Sequence, residues 1–280
     1  MVESIPRVRR DAGESIPVKT QQQTPIRVES IAMNLIETYF ERIRAQLTIL
    51  EQRSRPAIEQ AADRCAESLL RGGVVHVYDT GHLVSRELIN RAGGLAAFSP
   101  LSFDLQVTNT NPYREAQGVG AQTTPETVRC IVRAALDRSR VIAGDVLILG
   151  SVSGKTPFPV ELAIQARTRE VFTIGLTAID YSSQLQSEHE SGKRLYEVVD
   201  LVIDNAAPYG DAMLRLEGVE TAFCPASGIG AAVALWAMVA GIVERMTAHG
   251  KPPTLLASVN RPNGMEHYLQ TIEHYKQRGY

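Results

Sequence analysis

The chain has 280 residues, of which 44% are hydrophobic and 21% are charged, and its net charge is −2. This is the composition of an ordinary soluble globular protein. The near-neutral balance leaves no polybasic field for nucleic acid or an anionic membrane, so we expect neither as a partner. Three widely spaced cysteines and the lack of an apolar secretion core predict a cytoplasmic protein with reduced thiols.

The first 26 residues carry prolines, charges and a run of three glutamines. Because such a segment buries little apolar surface, we predict a flexible N-terminal arm over residues 1–26. Residues 27–280 are predicted to form one domain with an N-terminal helical extension. That extension covers residues 28–70, where apolar side chains recur at helical spacing, and Pro56 predicts a break into two helices.

After Gly73, short β-branched runs alternate with helical segments. This alternation predicts parallel strands with helices on both faces, an α/β fold in which ligands bind at the carboxyl ends of the strands. The predicted strands are 74–78, 146–149, 171–176, 198–203 and a weaker one at 95–98 or 103–107. The predicted helices are 84–92, 125–140, 157–169 and a short one after Asp180.

An uncharged run from Pro225 to Val243 is about as long as a membrane span. It is rich in alanine and glycine and follows a series of strand-like segments. We therefore predict a buried core helix there and no membrane association.

The strongest local signal is the segment 151–157, which follows a predicted strand and opens a helix at Pro157. Its substrate-binding candidates are Ser151, Ser153, Gly154 and Thr156. Short hydroxyls and backbone N–H groups at a helix N-terminus bind phosphate or another anion, and Lys155 adds a positive charge. A plain strand-to-helix turn has the same composition and stays open as the alternative.

Further candidates lie in two other segments. Thr80, Gly81 and His82 form a tight turn after the first strand, and Glu87 follows one helical turn later. A carboxylate beside a bound polyol moves protons between carbons, whereas an exposed surface glutamate does not. His189 lies between two glutamates and is either an acid/base or a solvated loop histidine. The chain has neither a P-loop nor a dinucleotide glycine motif, and its histidines lack metal-ligand spacing, so we expect no cofactor and no metal.

As a set, these residues resemble the sugar isomerase (SIS) domain family, and within it the phosphoheptose-isomerase-like proteins. The resemblance spans about residues 30 to 262. Its motifs are Thr80-Gly81-His82, Arg91-Ala92-Gly93-Gly94, Ser151-x-Ser153-Gly154-x-x-Pro157, Ser191-Gly192-Lys193-Arg194-Leu195, Asp204-Asn205 and Gly210-Asp211-Ala212. It implies a three-layer α-β-α sandwich with a five-stranded parallel sheet of flavodoxin-like type, a sugar phosphate as ligand, and a homodimer or homotetramer. It also implies that the loop after the third strand holds the phosphate and that Glu87 is catalytic.

The chain departs from the family pattern at two places. The first loop reads Asp79-Thr80-Gly81-His82-Leu83, where relatives have glycine-threonine-glycine-histidine-serine. The last long helix, residues 228–246, lacks the histidine that phosphoheptose isomerases carry there. If the proton relay exists here, His189 or His82 replaces that histidine.

Three functions follow from the resemblance. The first is an aldose–ketose isomerase of a sugar phosphate with Glu87 as acid/base. The second is a lyase or etherase of a phosphorylated amino sugar, because residues 152–158 and 173–177 are similar to those of N-acetylmuramic acid 6-phosphate etherases. The third is a non-catalytic sugar-phosphate sensor of the kind found in transcription regulators, although residues 1–26 are too short for a helix-turn-helix.

Overall fold

The computed structural model describes residues 34–81, 85–120 and 123–280. The predicted arm at 1–26 and the candidate His82 lie outside this part of the chain. The helices are α1 (Leu35–Leu70), α2 (Ser85–Leu88), α3 (Pro112–Ala116), α4 (Pro125–Arg138), α5 (Pro157–Arg167), α6 (Ile179–Ser182), α7 (Ser227–Ala248) and α8 (Gly264–Arg278). The strands are β1 (Val75–Asp79), β2 (Phe98–Pro100), β3 (Val146–Gly150), β4 (Phe172–Thr177), β5 (Leu201–Asp204), β6 (Ala212–Leu214) and β7 (Phe223–Pro225).

Strands β1 to β5 form one parallel sheet in the order β2-β1-β3-β4-β5. Successive strand side chains point to opposite faces. Val146 and Ile148 pack with α1 and α7 on one face, whereas Leu147 and Leu149 pack with α4 and α5 on the other. The predicted three-layer α-β-α sandwich with a five-stranded parallel sheet is therefore confirmed.

The predicted break at Pro56 is wrong, because α1 runs without interruption from Leu35 to Leu70 with Pro56 inside it. A proline removes one backbone hydrogen bond and disfavours the preceding turn. That local cost is offset by a continuous buried stripe on both sides of the proline, which includes Leu50, Ser54, Ile58 and Ala61. Tertiary packing therefore overrides the local signal.

Helix α7 is the one helix of the described chain that is long and apolar enough to cross a membrane. In the structure, 44% of its most apolar window is buried, and its side chains Leu235, Met238 and Ile242 pack into the core shared with α1. This packing agrees with the predicted core helix.

Two predicted elements are shorter than expected. The strand expected at 198–203 begins only at Leu201, because Leu195–Glu197 form a 3-10 turn that delays its entry into the sheet. The helix expected at 84–92 ends at Leu88, and Asn90 has a left-handed backbone, with φ of 53°. The weaker strand lies at Phe98–Pro100, at the edge of the sheet.

The β6–β7 hairpin and α8 were not predicted from the sequence. The hairpin brings Asp211 to the start of α7, where its carboxylate accepts hydrogen bonds from the N–H groups of Ala226 (3.0 Å) and Ser227 (2.7 Å) and from the Ser227 hydroxyl (2.6 Å). Asp211 therefore caps α7, and this structural role accounts for its place in the Gly210-Asp211-Ala212 motif.

Candidate functional site

The loops after β1 and β3 meet at the carboxyl edge of the sheet. Asp79 lies opposite Gly150 in the β1–β3 register. The Gly150 carbonyl accepts hydrogen bonds from the N–H (3.1 Å) and the hydroxyl (3.2 Å) of Thr80, and the N–H of Gly81 donates to Asp79 Oδ1. The structure thus brings Thr80 and Gly81 next to the strand end from which residues 151–156 emerge.

Residues 151–156, which we call the anion loop, present backbone donors at the N-terminus of α5. Gly154 is left-handed, with φ of 57°. The N–H groups of Ser153, Gly154 and Lys155 have no acceptor among the described residues. Consecutive free N–H groups around a left-handed residue form a concave nest for an anion, and the helix dipole adds to the positive potential there.

Two hydroxyls near the anion loop are buried without a hydrogen-bond partner in the described chain, those of Thr156 and Ser182. Thr156 occupies the predicted N-cap position of α5, but its side chain makes no capping hydrogen bond. The Ser182 hydroxyl lies behind Gly154, 3.0 Å from where a β-carbon on that glycine would be. A buried hydroxyl without a partner costs free energy, so both are positions where a polar ligand or water would be stabilising.

The segment 187–195 packs against the anion loop. The N–H of Glu188 donates to the Lys155 carbonyl (2.9 Å), and that of Leu195 donates to the Gly154 carbonyl (2.8 Å). Glu188 also pairs with the Lys155 ammonium at 2.6 Å, and this hydrogen bond raises the pKa of Lys155. These contacts occupy the carbonyl groups of the loop. Lys155, which was predicted to add a positive charge for an anion, is paired with Glu188 instead.

His189 is buried, not solvated, and both of its ring nitrogens are engaged. Nε2 lies 2.8 Å from Oε2 of Glu161, which is buried on α5. Nδ1 accepts a hydrogen bond from the N–H of Ser191 and lies 2.8 Å from the Ser191 hydroxyl. Because Nδ1 is an acceptor for that N–H, the ring proton of the neutral imidazole is on Nε2 and is donated to Glu161.

Glu161, His189 and Glu190 place three ligand-type atoms within 4.8 Å of one another. In this structure the three side chains are held by hydrogen bonds and an ion pair. Nε2 of His189 bonds to Glu161, and Glu190 is paired with Arg129, which lowers the pKa of Glu190. We interpret the group as a hydrogen-bonded pair with a neighbouring ion pair.

Glu87 is partly buried beside α7. Its Oε1 accepts a hydrogen bond from the indole N–H of Trp236 (3.1 Å) and lies 3.2 Å from Nε of Arg91. No described residue bonds to Oε2. The carboxylate is thus oriented by a cation and an indole and keeps one oxygen available for proton transfer. Helix α7 lacks the histidine that phosphoheptose isomerases carry there. Instead, Trp236 of α7 donates a hydrogen bond to Glu87.

Sequence reasoning did not identify Trp236, Ser182 or the pairing of Glu161 with His189. Trp236 lies 149 residues from Glu87, and Glu161 lies 28 residues from His189. No spacing rule connects residues so far apart. The one usable signal was that Glu161 is a carboxylate on a helix whose neighbouring positions are apolar.

Comparison with known proteins gives the family. The model of the SIS domain matches residues 38–178, which is half of the chain. The chain belongs to the SIS domain family. Among curated SIS relatives, a UPF0309 protein of Halalkalibacterium halodurans is 34% identical over 246 residues, covering 87% of this chain and 96% of that protein. A UPF0309 protein of Caldanaerobacter subterraneus is 33% identical over 250 residues, covering 87% and 98%.

Solved structures with the SIS fold are more distant in sequence. A phosphoheptose isomerase from Francisella tularensis has a TM-score of 0.46 at 17% identity, covering 74% of this chain and 96% of that one. The Vibrio vulnificus NanR protein complexed with ManNAc-6P has a TM-score of 0.45 at 13% identity, covering 88% and 69%.

Proposed function

We propose that the protein binds a sugar phosphate at the anion loop and interconverts its aldose and ketose forms. The SIS fold suggests sugar-phosphate binding. The observation that carries the proposal is the row of N–H groups at Ser153, Gly154 and Lys155. They have no acceptor in the described part of the chain and lie at the N-terminus of an 11-residue helix. A phosphate is the small anion that such a nest and helix dipole suit best.

The hydroxyls around the nest complete the proposed phosphate contacts. Ser151 is 2% exposed and Ser153 is partly exposed, so Ser153 is the hydroxyl that a ligand meets first. The unpartnered hydroxyl of Thr156 is the second, after a change of rotamer. Thr80, Gly81 and His82 are proposed to contact the sugar from the neighbouring loop.

Glu87 is proposed as the acid/base. In an aldose–ketose isomerisation a base removes the proton on the carbon next to the carbonyl, and the resulting enediolate is protonated on the neighbouring carbon. Arg91 and Trp236 both contact Oε1, and Oε2, which has no partner among the described residues, is the atom that would carry the proton. His189 is proposed as the second proton carrier, which requires its Nδ1 to leave Ser191.

The first experiment is a thermal-shift measurement against sugar phosphates and their unphosphorylated parents. A ligand at about 100 times its Kd adds about 2.7 kcal/mol of stability. We expect one or more phosphorylated sugars to raise Tm in the wild type and not in Ser153→Ala. Ser183→Ala, an exposed serine outside the loop, is the matched control and should keep the shift.

The chemistry is then read by NMR of the bound sugar phosphate incubated with enzyme. Isomerisation moves the carbonyl and exchanges one C–H proton, whereas an etherase or lyase releases a fragment. Glu87→Gln should bind with unchanged affinity and lose turnover. If the wild type binds the sugar phosphate and changes no bond, the sensor function is correct and the isomerase proposal is wrong.

We also propose a cytoplasmic homodimer or homotetramer, as the family resemblance implies. Ile36 and Phe40 are 65% and 53% exposed on the first turns of α1. Large apolar side chains repeated on one exposed helix are typical of a surface covered by another subunit. Light scattering coupled to size exclusion gives the mass directly, and a monomer at micromolar concentration would contradict the proposal.

A further inference from the structure

A cleft in the described chain has its polar end away from the anion loop. Its volume is about 630 Å³, and it opens between α4 and the residues that follow the edge strand β2. It is lined at one end by His76, near the start of β1, and by Arg138, Ser139 and Arg140, where α4 ends. These are amino-end positions of the sheet, whereas the anion loop follows the carboxyl end of β3. The polar end of the cleft is therefore at the opposite edge of the sheet from the anion loop, whereas the wall residue Phe103 contacts Phe158 on the first turn of α5.

His76 is a buried imidazole with one nitrogen left over. The residue is 3% exposed, and its Nε2 lies 3.0 Å from Oδ2 of Asp145, which is 1% exposed. That carboxylate also accepts the N–H groups of Val74 (2.8 Å) and Ile142 (2.9 Å). An ionised carboxylate only accepts, so Nε2 of His76 carries the donated proton. Nδ1 has no partner among the described residues, although the ring lines the cleft.

The rim of the cleft is cationic. Arg138 and Arg140 are exposed, and neither pairs with a carboxylate in the described chain. The neighbouring Arg169, by contrast, is held by Asp137 at 2.7 Å. Asp104 is the one carboxylate that lines the cleft, so two guanidinium groups face one acid.

The walls of the cleft are apolar. Leu101 and Phe103 come from the segment after β2, and Ile131 and Ala135 come from α4. Phe103 is fixed in place by stacking on Tyr78, with ring centroids 5.3 Å apart. A concave site with apolar walls and a few convergent polar groups, within about 300–1,000 Å³, is the usual form of a small-molecule site.

We propose that this cleft binds a small organic anion that has an apolar body. The apolar part lies between Leu101, Phe103 and Ile131, and a carboxylate or phosphate pairs with Arg138 and Arg140 at the rim. The Nδ1 atom of His76 forms a hydrogen bond with a polar group of the ligand at the base of the cleft. This site is additional to the proposed sugar-phosphate site and does not depend on it.

The test uses four probes on the full chain, followed by isothermal calorimetry and ligand-observed NMR. Benzoate and phenyl phosphate combine an aromatic body with an anion; benzamide has the body without the charge, and acetate has the charge without the body. We expect benzoate and phenyl phosphate to bind at least about tenfold more tightly than either control. Benzamide lacks the charge-assisted contact, and acetate lacks the apolar contacts of the ring.

The variants locate the binding. Arg138→Ala/Arg140→Ala should weaken benzoate about tenfold or more, and Ala134→Trp, an exposed position on the cleft wall, should abolish it by filling the space. Arg133→Ala removes an arginine of the same helix outside the cleft and should leave affinity unchanged. His76→Gln tests the contact at the base of the cleft, but it also disturbs the buried pair with Asp145. The variants at Arg138, Arg140 and Ala134 are therefore decisive, because these residues are exposed.

Three results would overturn the proposal. Equal affinity for benzamide and benzoate would show that the cleft does not recognise the negative charge of the ligand. A second contrary result is that benzoate does not bind, while phenyl phosphate binds and depends on Ser153 but not on Arg138 and Arg140. That result would place the bound anion at the anion loop instead of the cleft. If no probe binds, the cleft is not a small-molecule site. If Ala134→Trp then also changes the number of subunits measured by light scattering, the cleft is an interface between subunits.

Discussion

Glu161 Oε2 lies 2.8 Å from Nε2 of His189, and both side chains are almost fully buried. The remaining oxygen of Glu161 accepts the amide of Gln165 at 2.6 Å. This pair joins α5 to the segment 187–195, and that segment in turn holds the carbonyl side of the anion loop. The stability of the loop and the proposed phosphate affinity are thereby linked through one buried hydrogen bond.

Glu161→Ala should therefore be strongly destabilising. Removing Glu161 leaves the buried Nε2 donor of His189 without an acceptor, which costs about 1–3 kcal/mol. Urea denaturation followed by circular dichroism measures the change. Glu188→Ala is the matched control, since its pair with Lys155 is at the surface and contributes about 0–1 kcal/mol. Equal losses in the two variants would show that the buried pair has no special weight.

Gly154→Ala should impair both stability and ligand binding. Gly154 has φ of 57°, and a β-carbon there would lie 3.0 Å from the Ser182 hydroxyl. The left-handed backbone alone costs an alanine about 1–2 kcal/mol. Gly192→Ala is a control with the same backbone region, φ of 69°, and nothing within 4 Å of the added carbon. Only Gly154→Ala should abolish the thermal shift with sugar phosphate; a retained shift would contradict the proposed site.

Pro56→Ala should stabilise the protein. Pro56 is exposed inside α1, so its ring leaves no cavity, and alanine restores an N–H donor to the helix. Helix propensity favours alanine by about 3 kcal/mol, of which part is lost because the unfolded chain also gains freedom. We expect a gain of about 1–2 kcal/mol in the free energy of unfolding. Pro125→Ala, at the first turn of α4 where proline is compatible, should give no gain.

The three cysteines should differ in reactivity. Burial raises the pKa of Cys65 to about 12, and the hydrogen bond to Glu126 raises the pKa of Cys130. Since the thiolate is the nucleophile, iodoacetamide at mildly alkaline pH should label Cys224 first and Cys65 last in the native protein. Mass spectrometry of peptides reads the order. All three should react alike in guanidinium chloride, and early labelling of Cys65 in native protein would contradict its burial.

Sequence periodicity was sufficient for the elements that local chemistry specifies. The runs at β1, β3 and β4 are continuous and β-branched, and α4 and α5 begin at Thr-Pro pairs, so both their type and their place were predictable. The anion loop was found for the same reason, because hydroxyls and glycine stand together in seven consecutive residues. The family resemblance then added the number of strands in the sheet, whereas their order came from the structure.

Only the tertiary structure decided which residues far apart in the sequence contact one another. Whether Pro56 breaks α1 depended on the helix α7 packed beside it, and not on the proline. Whether His189 is solvated depended on Glu161, and whether Glu87 is oriented depended on Trp236. The cleft beside His76 lies between α4 and the residues after the edge strand β2, which are far apart in the sequence from one another. A sequence determines which groups a chain carries and their local conformations, whereas burial and pairing arise only when segments far apart in the chain are brought into contact.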